Sequence, residues 1–231
     1  MEVGIILPKL KKKSKKKIRL FLIFLLVIAL GAILYLCSDK SIKNIFIHDN
    51  NIFTDQEIID MSGLTNYPNF FTTTGHNVKK KLLKNDYIKG IKVRKSIFMA
   101  FHIYVDEYSV LFERQSNGKV VLENGKEIDN TKNVVVPFFI NDSEIEEERL
   151  DEFIKKYSLL SKDVTVKISE IKYDPTDLDK DRFLFYMNDQ NYVYITLTKI
   201  DTINKYNEMI EKFEGKKGIL YLDSGNYFQI K

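Results

Sequence analysis

Three histidines, His48, His76 and His102, and one cysteine, Cys37, are the soft-ligand residues of this 231-residue chain. They are scattered, with none at metal-ligand spacing, so they read as surface or strand residues rather than zinc ligands. A single cysteine also excludes an internal disulfide. Asp177-Leu178-Asp179-Lys180-Asp181 starts like a calcium loop, with carboxylates at alternate positions. Its sixth position is Arg182, where the tight turn requires glycine, and its twelfth is Asn188 instead of a bidentate glutamate. A solvated acidic turn is the better reading. Glu144-Ile145-Glu146-Glu147-Glu148 is read as the acid-rich first turn of a helix, where carboxylates meet the positive end of the dipole, in preference to a patch for a basic partner. Asp223-Ser224-Gly225 lacks the Gly-x-Ser-x-Gly of a nucleophile elbow and reads as a hairpin turn. These patterns predict a protein that is not an enzyme, with no cofactor and no metal site, whose working parts are surfaces. Exposed strand edges carry unpaired backbone groups and accept strands from other chains. The last strand region supplies anchors for such a contact, and Tyr221, Asp223, Tyr227 and Phe228 are its candidate partner-binding residues. The competing reading places those rings in the core, as one face of the strand requires.

The elements that must position this edge begin at a membrane. The composition, 44% hydrophobic and 29% charged, excludes wholesale disorder and fibrous repeats. The net charge of +4 hides its arrangement. Eight lysines and arginines against Glu2 give the first nineteen residues +7, which leaves −3 for the other 212. Leu20 to Ser38 follows without a charge, and thirteen of its nineteen residues are Leu, Ile, Phe or Val. At 1.5 Å per residue it reaches about 28 Å, close to the hydrocarbon core of a bilayer. The lysines then hold the N-terminus in the cytoplasm, which leaves no need for a nucleic-acid partner. A cleaved leader with Ala29-Leu30-Gly31 at its processing site is the competing reading. It is opposed by the apolar run continuing through Ile33, Leu34, Tyr35 and Leu36. The topology expected is a basic cytoplasmic tail over 1–19, one transmembrane helix over 20–38, and everything from about Asp39 outside.

The exported residues are predicted to form two small modules with no linker between them. In the first, Ile45 and Ile47 mark a strand, and Thr54-Asp55-Gln56-Glu57 is a capping box that opens a helix faced by Ile58, Ile59 and Met61 and ended by Gly63. Val78, Leu82 and Leu83 mark a second helix. Ile91 and Val93, then Phe101, Ile103 and Val105, form a hairpin with one apolar and one polar face. In the second module, Val110 to Arg114, Lys119 to Leu122 and Lys126 to Ile128 form a meander turned at Asn117-Gly118 and Asn124-Gly125. Asn-Gly is favoured in two-residue turns because both positions tolerate φ > 0. A helix over Ser143 to Leu160 carries Leu150, Phe153, Ile154 and Tyr157 on one face. Val164, Val166 and Ile168 alternate as a strand. Arg182 to Met187 and Tyr192 to Thr198 form a hairpin, Ile203, Tyr206, Ile210 and Phe213 a last helix, and Gly218 to Leu222 and Tyr227 to Ile230 the closing strands.

Leu83-Lys84-Asn85-Asp86-Tyr87-Ile88-Lys89-Gly90-Ile91-Lys92-Val93-Arg94-Lys95, followed by Phe101-His102-Ile103-Tyr104-Val105-Asp106-Glu107, resembles the motif of the bacterial FtsQ/DivIB family. Asp86 stands where that family usually carries proline. Asn124-Gly125-Lys126-Glu127-Ile128-Asp129 and Gly218-Ile219-Leu220-Tyr221-Leu222-Asp223 are similar to later family patterns. The resemblance implies an α+β fold with one N-terminal transmembrane helix, a POTRA domain (βααββ) over 39–108 and a mixed β-rich domain with two helices over 109–231. It implies a divisome scaffold at the septum that links FtsL-like and FtsB/DivIC-like bitopic proteins, through the last strands of the β domain, to septal peptidoglycan synthesis. A POTRA-bearing docking or chaperone-like module for secretion or envelope assembly is the second class of function that suits the same residues.

Overall fold

The computed structural model of the chain describes Lys13–Ser38 and residues 40–231. Lys9, Lys11, Lys12 and Asp39, on which part of the expected topology rests, lie outside the described residues, as do the side chains of Lys13, Lys15 and Cys37. Helix α1, Lys13–Ser38, begins inside the basic run, because lysine and arginine are themselves good helix formers. Its Lys16–Leu36 stretch, 21 residues, is long and apolar enough to cross a membrane and is exposed on every face. The chain forms two compact units. One comprises the described residues up to His48 with Asp55–Leu82 and Lys92–Tyr104, and the other Asp49–Thr54, Leu83–Ile91 and Val105–Lys231.

The elements after α1 follow the expected βααββ order: β1 Asn44–His48, α2 Asp55–Ser62, α3 Gly75–Leu82, β2 Ile88–Ser96 and β3 Ala100–Glu107. They give a three-stranded sheet ordered β1-β3-β2, with β1 parallel to β3 and Ile45 and Ile47 opposite Phe101 and Ile103. Phe101, Ile103 and Val105 are buried while His102 and Tyr104 stay half-exposed, which is the alternation a one-sided sheet demands. Helix α2 ends as glycine dictates. Gly63, at φ 75°, donates its N–H to the Asp60 carbonyl (3.0 Å), and Leu64 donates to Ile59 (3.1 Å). This pair of bonds closes the last turn and tucks Leu64 into the interior. Leu83, expected on the face of the second helix, falls one residue beyond α3 and is exposed, because Val78 and Leu82 at i, i+4 already fill that face.

The second unit continues with β4 Val110–Arg114, β5 Lys119–Leu122, β6 Glu127–Asp129, β7 Phe138–Ile140, α4 Glu147–Tyr157, α5 Lys162–Thr165, β8 Ile168–Tyr173, β9 Arg182–Met187, β10 Tyr192–Thr196, α6 Tyr206–Glu211, β11 Gly218–Tyr221 and β12 Tyr227–Ile230. A 3₁₀ stretch, Leu197–Lys205, leads into α6. All nine strands join one sheet in the order β12-β11-β10-β9-β8-β7-β4-β5-β6. Phe112, Phe139, Phe183 and Phe185 of the sheet and Phe153, Ile154 and Tyr157 of α4 belong to one buried cluster, to which Ile200, Ile203 and Tyr206 also belong.

Several local expectations are corrected. The Asn-Gly turns are longer than two residues. The first returns the Gly118 N–H to the Arg114 carbonyl across a four-residue loop, and the second runs through Glu123-Asn124-Gly125 with the Leu122 N–H bonded to the Lys126 carbonyl. Only the glycines, at φ 67° and 81°, are left-handed. The asparagines instead accept from the backbone two residues on, Asn117 from Lys119 and Asn124 from Lys126. The long helix expected from Ser143 is a 3₁₀ turn, Asp142–Glu144, an extended Ile145, and then α4. Val164 and Val166 lie not in a strand but in α5 and at its C-cap. Val164 is buried in the core cluster and Val166, at the C-cap, is exposed, so the two valines do not share one face as a strand would require. Strand β7, three residues long after Pro137, carries too little period to be read from sequence, yet it bridges β4 and β8 with parallel neighbours on both sides.

Candidate functional site

Strand β12 is the last strand of the sheet, antiparallel to β11, with Tyr221 opposite Tyr227 and Gly218 opposite Ile230. Beyond it the sheet has no further strand among the described residues, so its outer backbone edge is open. Period-2 alternation divides its side chains. Tyr227 and Gln229 lie on the open face with Tyr221: the rings of Tyr221 and Tyr227 stack at 4.5 Å, and the Tyr221 hydroxyl donates to Gln229 Oε1 at 3.3 Å. Tyr194 of β10 stacks on Tyr221 at 5.4 Å, and the Arg182 guanidinium sits 3.9 Å above Tyr194. Arg182 Nε lies 3.2 Å from Asp223 Oδ2, an ion pair without hydrogen-bond alignment. Burial, and then the neighbouring Tyr227 and Tyr194, push the Tyr221 phenol above its ordinary pKa. The open face is a row of stacked aromatic rings, closed at one end by an arginine. Phe228 points the other way, stacked on Phe213 at 4.1 Å against the core.

The position of this edge is set from beneath by polar residues that the sequence reading did not single out. Asn191 is buried; its Oδ1 accepts the Gly218 N–H (2.9 Å), and its Nδ2 donates to the Tyr206 hydroxyl (3.1 Å). That hydroxyl in turn donates to the Asp189 carboxylate at 2.9 Å, and burial, with Asp189 adding to it, raises its pKa. The chain Asp189-Tyr206-Asn191-Gly218 pins the start of β11 and, through it, β12. The available signal was Asn188 to Asn191 as a turn, but nothing local marks Asn191 as buried.

Residues 40–108 match the family model of the FtsQ-type POTRA domain. Over 196 residues, 81% of this chain and 75% of the relative, the sequence is 31% identical to the cell division protein DivIB of Bacillus cereus. The chain belongs to the DivIB family. It is also 29% identical to DivIB of Bacillus anthracis, across 95% of this chain and 88% of that one. A solved structure of the major extracytoplasmic domain of the trans isomer of DivIB from Geobacillus stearothermophilus is 22% identical, with a TM-score of 0.37 over 44% of this chain and 88% of that chain.

For a DivIB-family chain the remaining candidates arrange themselves simply. Of the four residues expected to meet a partner, Tyr221, Asp223 and Tyr227 share the open side around Arg182, and Phe228 is turned inward. The histidines are less scattered than their spacing implies. Parallel pairing of β1 with β3 brings His48 Nε2 to 3.3 Å from His102 Nδ1, between Phe46 and Tyr104, although 54 positions separate the two. Among the described residues no three His, Cys, Asp or Glu side chains converge as metal ligands. In the acidic turn, Asp179 Oδ1 accepts the Asp181 N–H (2.9 Å) and Asp181 pairs with Arg149 of α4 (2.7 Å), so one carboxylate shapes the loop and the other ties it to the helix.

Gly218 carries a direct test of how β12 is held. A Cβ there would lie 2.1 Å from the Gln229 carbonyl oxygen and 2.9 Å from the Phe228 ring. Backbone does not yield as a flexible side chain does. Gly218→Ala is expected to detach β12 and leave the core sheet folded. In hydrogen exchange the amides of Tyr227–Ile230 should lose protection while those of β9 keep it. Unchanged protection at β12 would show that the strands do not approach this closely.

Proposed function

We propose that this DivIB-family protein is a non-catalytic scaffold of the division septum. In this reading the basic tail over 1–19 is cytoplasmic, residues 20–38 cross the membrane once, and a POTRA domain over 39–108 and a β domain over 109–231 lie outside. The open edge of β12 holds short bitopic division proteins of the FtsL and FtsB/DivIC kind and, through them, regulates septal peptidoglycan synthesis. The observation that carries the reading is the edge itself: among the described residues β12 has a neighbour on one side only, and its Tyr227 is 51% exposed and stacked on Tyr221, beside the Arg182–Asp223 pair. An incoming strand would take its backbone hydrogen bonds from β12 and its side-chain specificity from the tyrosine row. Large aromatic side chains concentrate binding energy at interfaces, and Tyr227 is the most accessible of these rings.

A photoreactive residue replacing Tyr227 in the full-length protein tests this in cells. The expected product is a crosslink to a small single-span division protein. Recovery of secretion or envelope-assembly substrates, with no division protein, would overturn the scaffold in favour of a docking module.

A further inference from the structure

The turn between β2 and β3 is chemically out of place for a solvated hairpin. Tips of this kind favour Gly, Asn, Asp and Ser, whereas this one reads Ser96-Ile97-Phe98-Met99. The Met99 N–H donates to the Ser96 carbonyl at 3.2 Å, and Met99 takes a left-handed φ of 56°. Ile97 and Phe98 therefore occupy the two central positions of the turn and project outward, 91% and 74% exposed. The neighbouring loop adds Phe71, 52% exposed.

The place of this tip in the chain gives it a partner. Residues just beyond α1 are stitched to these two loops: Phe70 donates its N–H to the Lys40 carbonyl (2.8 Å), Ser41 bridges Asn69, and Lys43 donates to the Met99 carbonyl (2.9 Å). From Ser38 to Lys43 is five residues, at most about 18 Å of extended chain. However the elements after Lys43 turn on that tether, Ile97 and Phe98 stay close to the end of the apolar helix. Lys40 and Lys43, both exposed, stand on the tether itself.

We propose that the Ile97-Phe98 tip, with Phe71, inserts into the outer surface of the membrane that α1 crosses, and that Lys40 and Lys43 meet its anionic headgroups. Apolar and aromatic side chains are favoured at the boundary between headgroups and acyl chains, and lysines beside them reach the lipid phosphates. The consequence is a first unit held against the bilayer at one end instead of swinging freely on its tether. The proposal rests on the reading of α1 as a membrane span.

The test uses the full chain with Cys37→Ser, reconstituted in nanodiscs of phosphatidylglycerol and phosphatidylcholine. Single cysteines replace Leu26, Gln56, Ile97 or Phe98 in turn, and each carries the same environment-sensitive dye. Gln56, exposed on α2 beyond the far end of β1, controls for partitioning of the dye itself. Dyes at 97 and 98 are expected to shift to the blue and to be quenched by lipids bearing a shallow quencher, with neither effect at 56. Dye at 26 should be quenched by a deep quencher. If 26 is quenched while 97 and 98 behave like 56, the insertion proposal is overturned and the span stands. If 26 is not quenched, the span reading fails and the proposal falls with it.

Discussion

Replacing Phe153 by alanine should cost about 3 to 5 kcal/mol of stability, the usual range for deleting a buried aromatic ring. The ring is fully buried on α4, with Phe183 at 4.5 Å, Phe139 at 5.2 Å, Tyr157 at 5.4 Å, Phe112 at 5.8 Å and Phe185 at 6.4 Å. These partners come from β4, β7 and β9 as well as from α4 itself, so no single element can move in to fill the space. Domains are stable by only about 5 to 15 kcal/mol, so the loss takes a large share of the total. Urea unfolding followed by circular dichroism should show a lower midpoint with an unchanged slope. A loss below about 1 kcal/mol, the range of a surface change, would mean that the ring is not the hub of this core.

Asp142→Ala is the second large expected effect, and it is electrostatic. Asp142 is 1% exposed; it accepts from Arg114 Nε at 2.6 Å, from the Ser116 N–H at 2.9 Å and from the Ser116 hydroxyl. Arg114 also pairs with Glu127. Removing one member of a buried pair leaves its partner's charge uncompensated and costs about 3 to 5 kcal/mol. Glu127 still holds one side of the guanidinium, so the lower end of that range is expected. The ion pair Lys126–Asp86, whose side chains are about half exposed, provides the contrast. It has a similar distance, 2.6 Å, yet Asp86→Ala should cost at most about 1 kcal/mol, because water screens the pair and it restrains two flexible side chains. Equal losses at Asp142 and Asp86 would show that burial is not what gives the first pair its strength.

The legible parts of the fold were those with a strong period. Leu150, Phe153, Ile154 and Tyr157 are all buried on α4, and Phe101, Ile103 and Val105 on β3. Strands β4, β5 and β9 keep the bounds that their alternation and turns predict. Short apolar runs were ambiguous. Val164-Thr165-Val166 alternates like a strand yet belongs to a helical turn, because two valines two positions apart fit either geometry until packing buries one of them. Strand β7 falls in the apolar run Val134 to Ile140, interrupted by Pro137, and only its neighbours β4 and β8 supply its hydrogen bonds.

The candidate site divides in the same way. The aromatic content of the last strands is written in the sequence, but which rings face outward follows from the pairing of β12 with β11. That register sets Tyr227 on Tyr221 and turns Phe228 onto Phe213. Arg182 joins Asp223, and Asn191 supports Gly218, only because strands distant in sequence are neighbours in the sheet.

By itself, then, the sequence determined the properties that depend on local composition and period: the apolar stretch after a basic run, the helix faces, the alternating strands and the family motif. The tertiary structure decided what depends on long-range pairing. It placed β12 at an open edge, brought His48 to His102, buried Asp142 against Arg114, and set Ile97 and Phe98 on a turn hydrogen-bonded to the segment that follows the apolar helix. The physical reason is that local preference acts over a few residues through backbone geometry, whereas register and burial are fixed only when distant segments share one sheet.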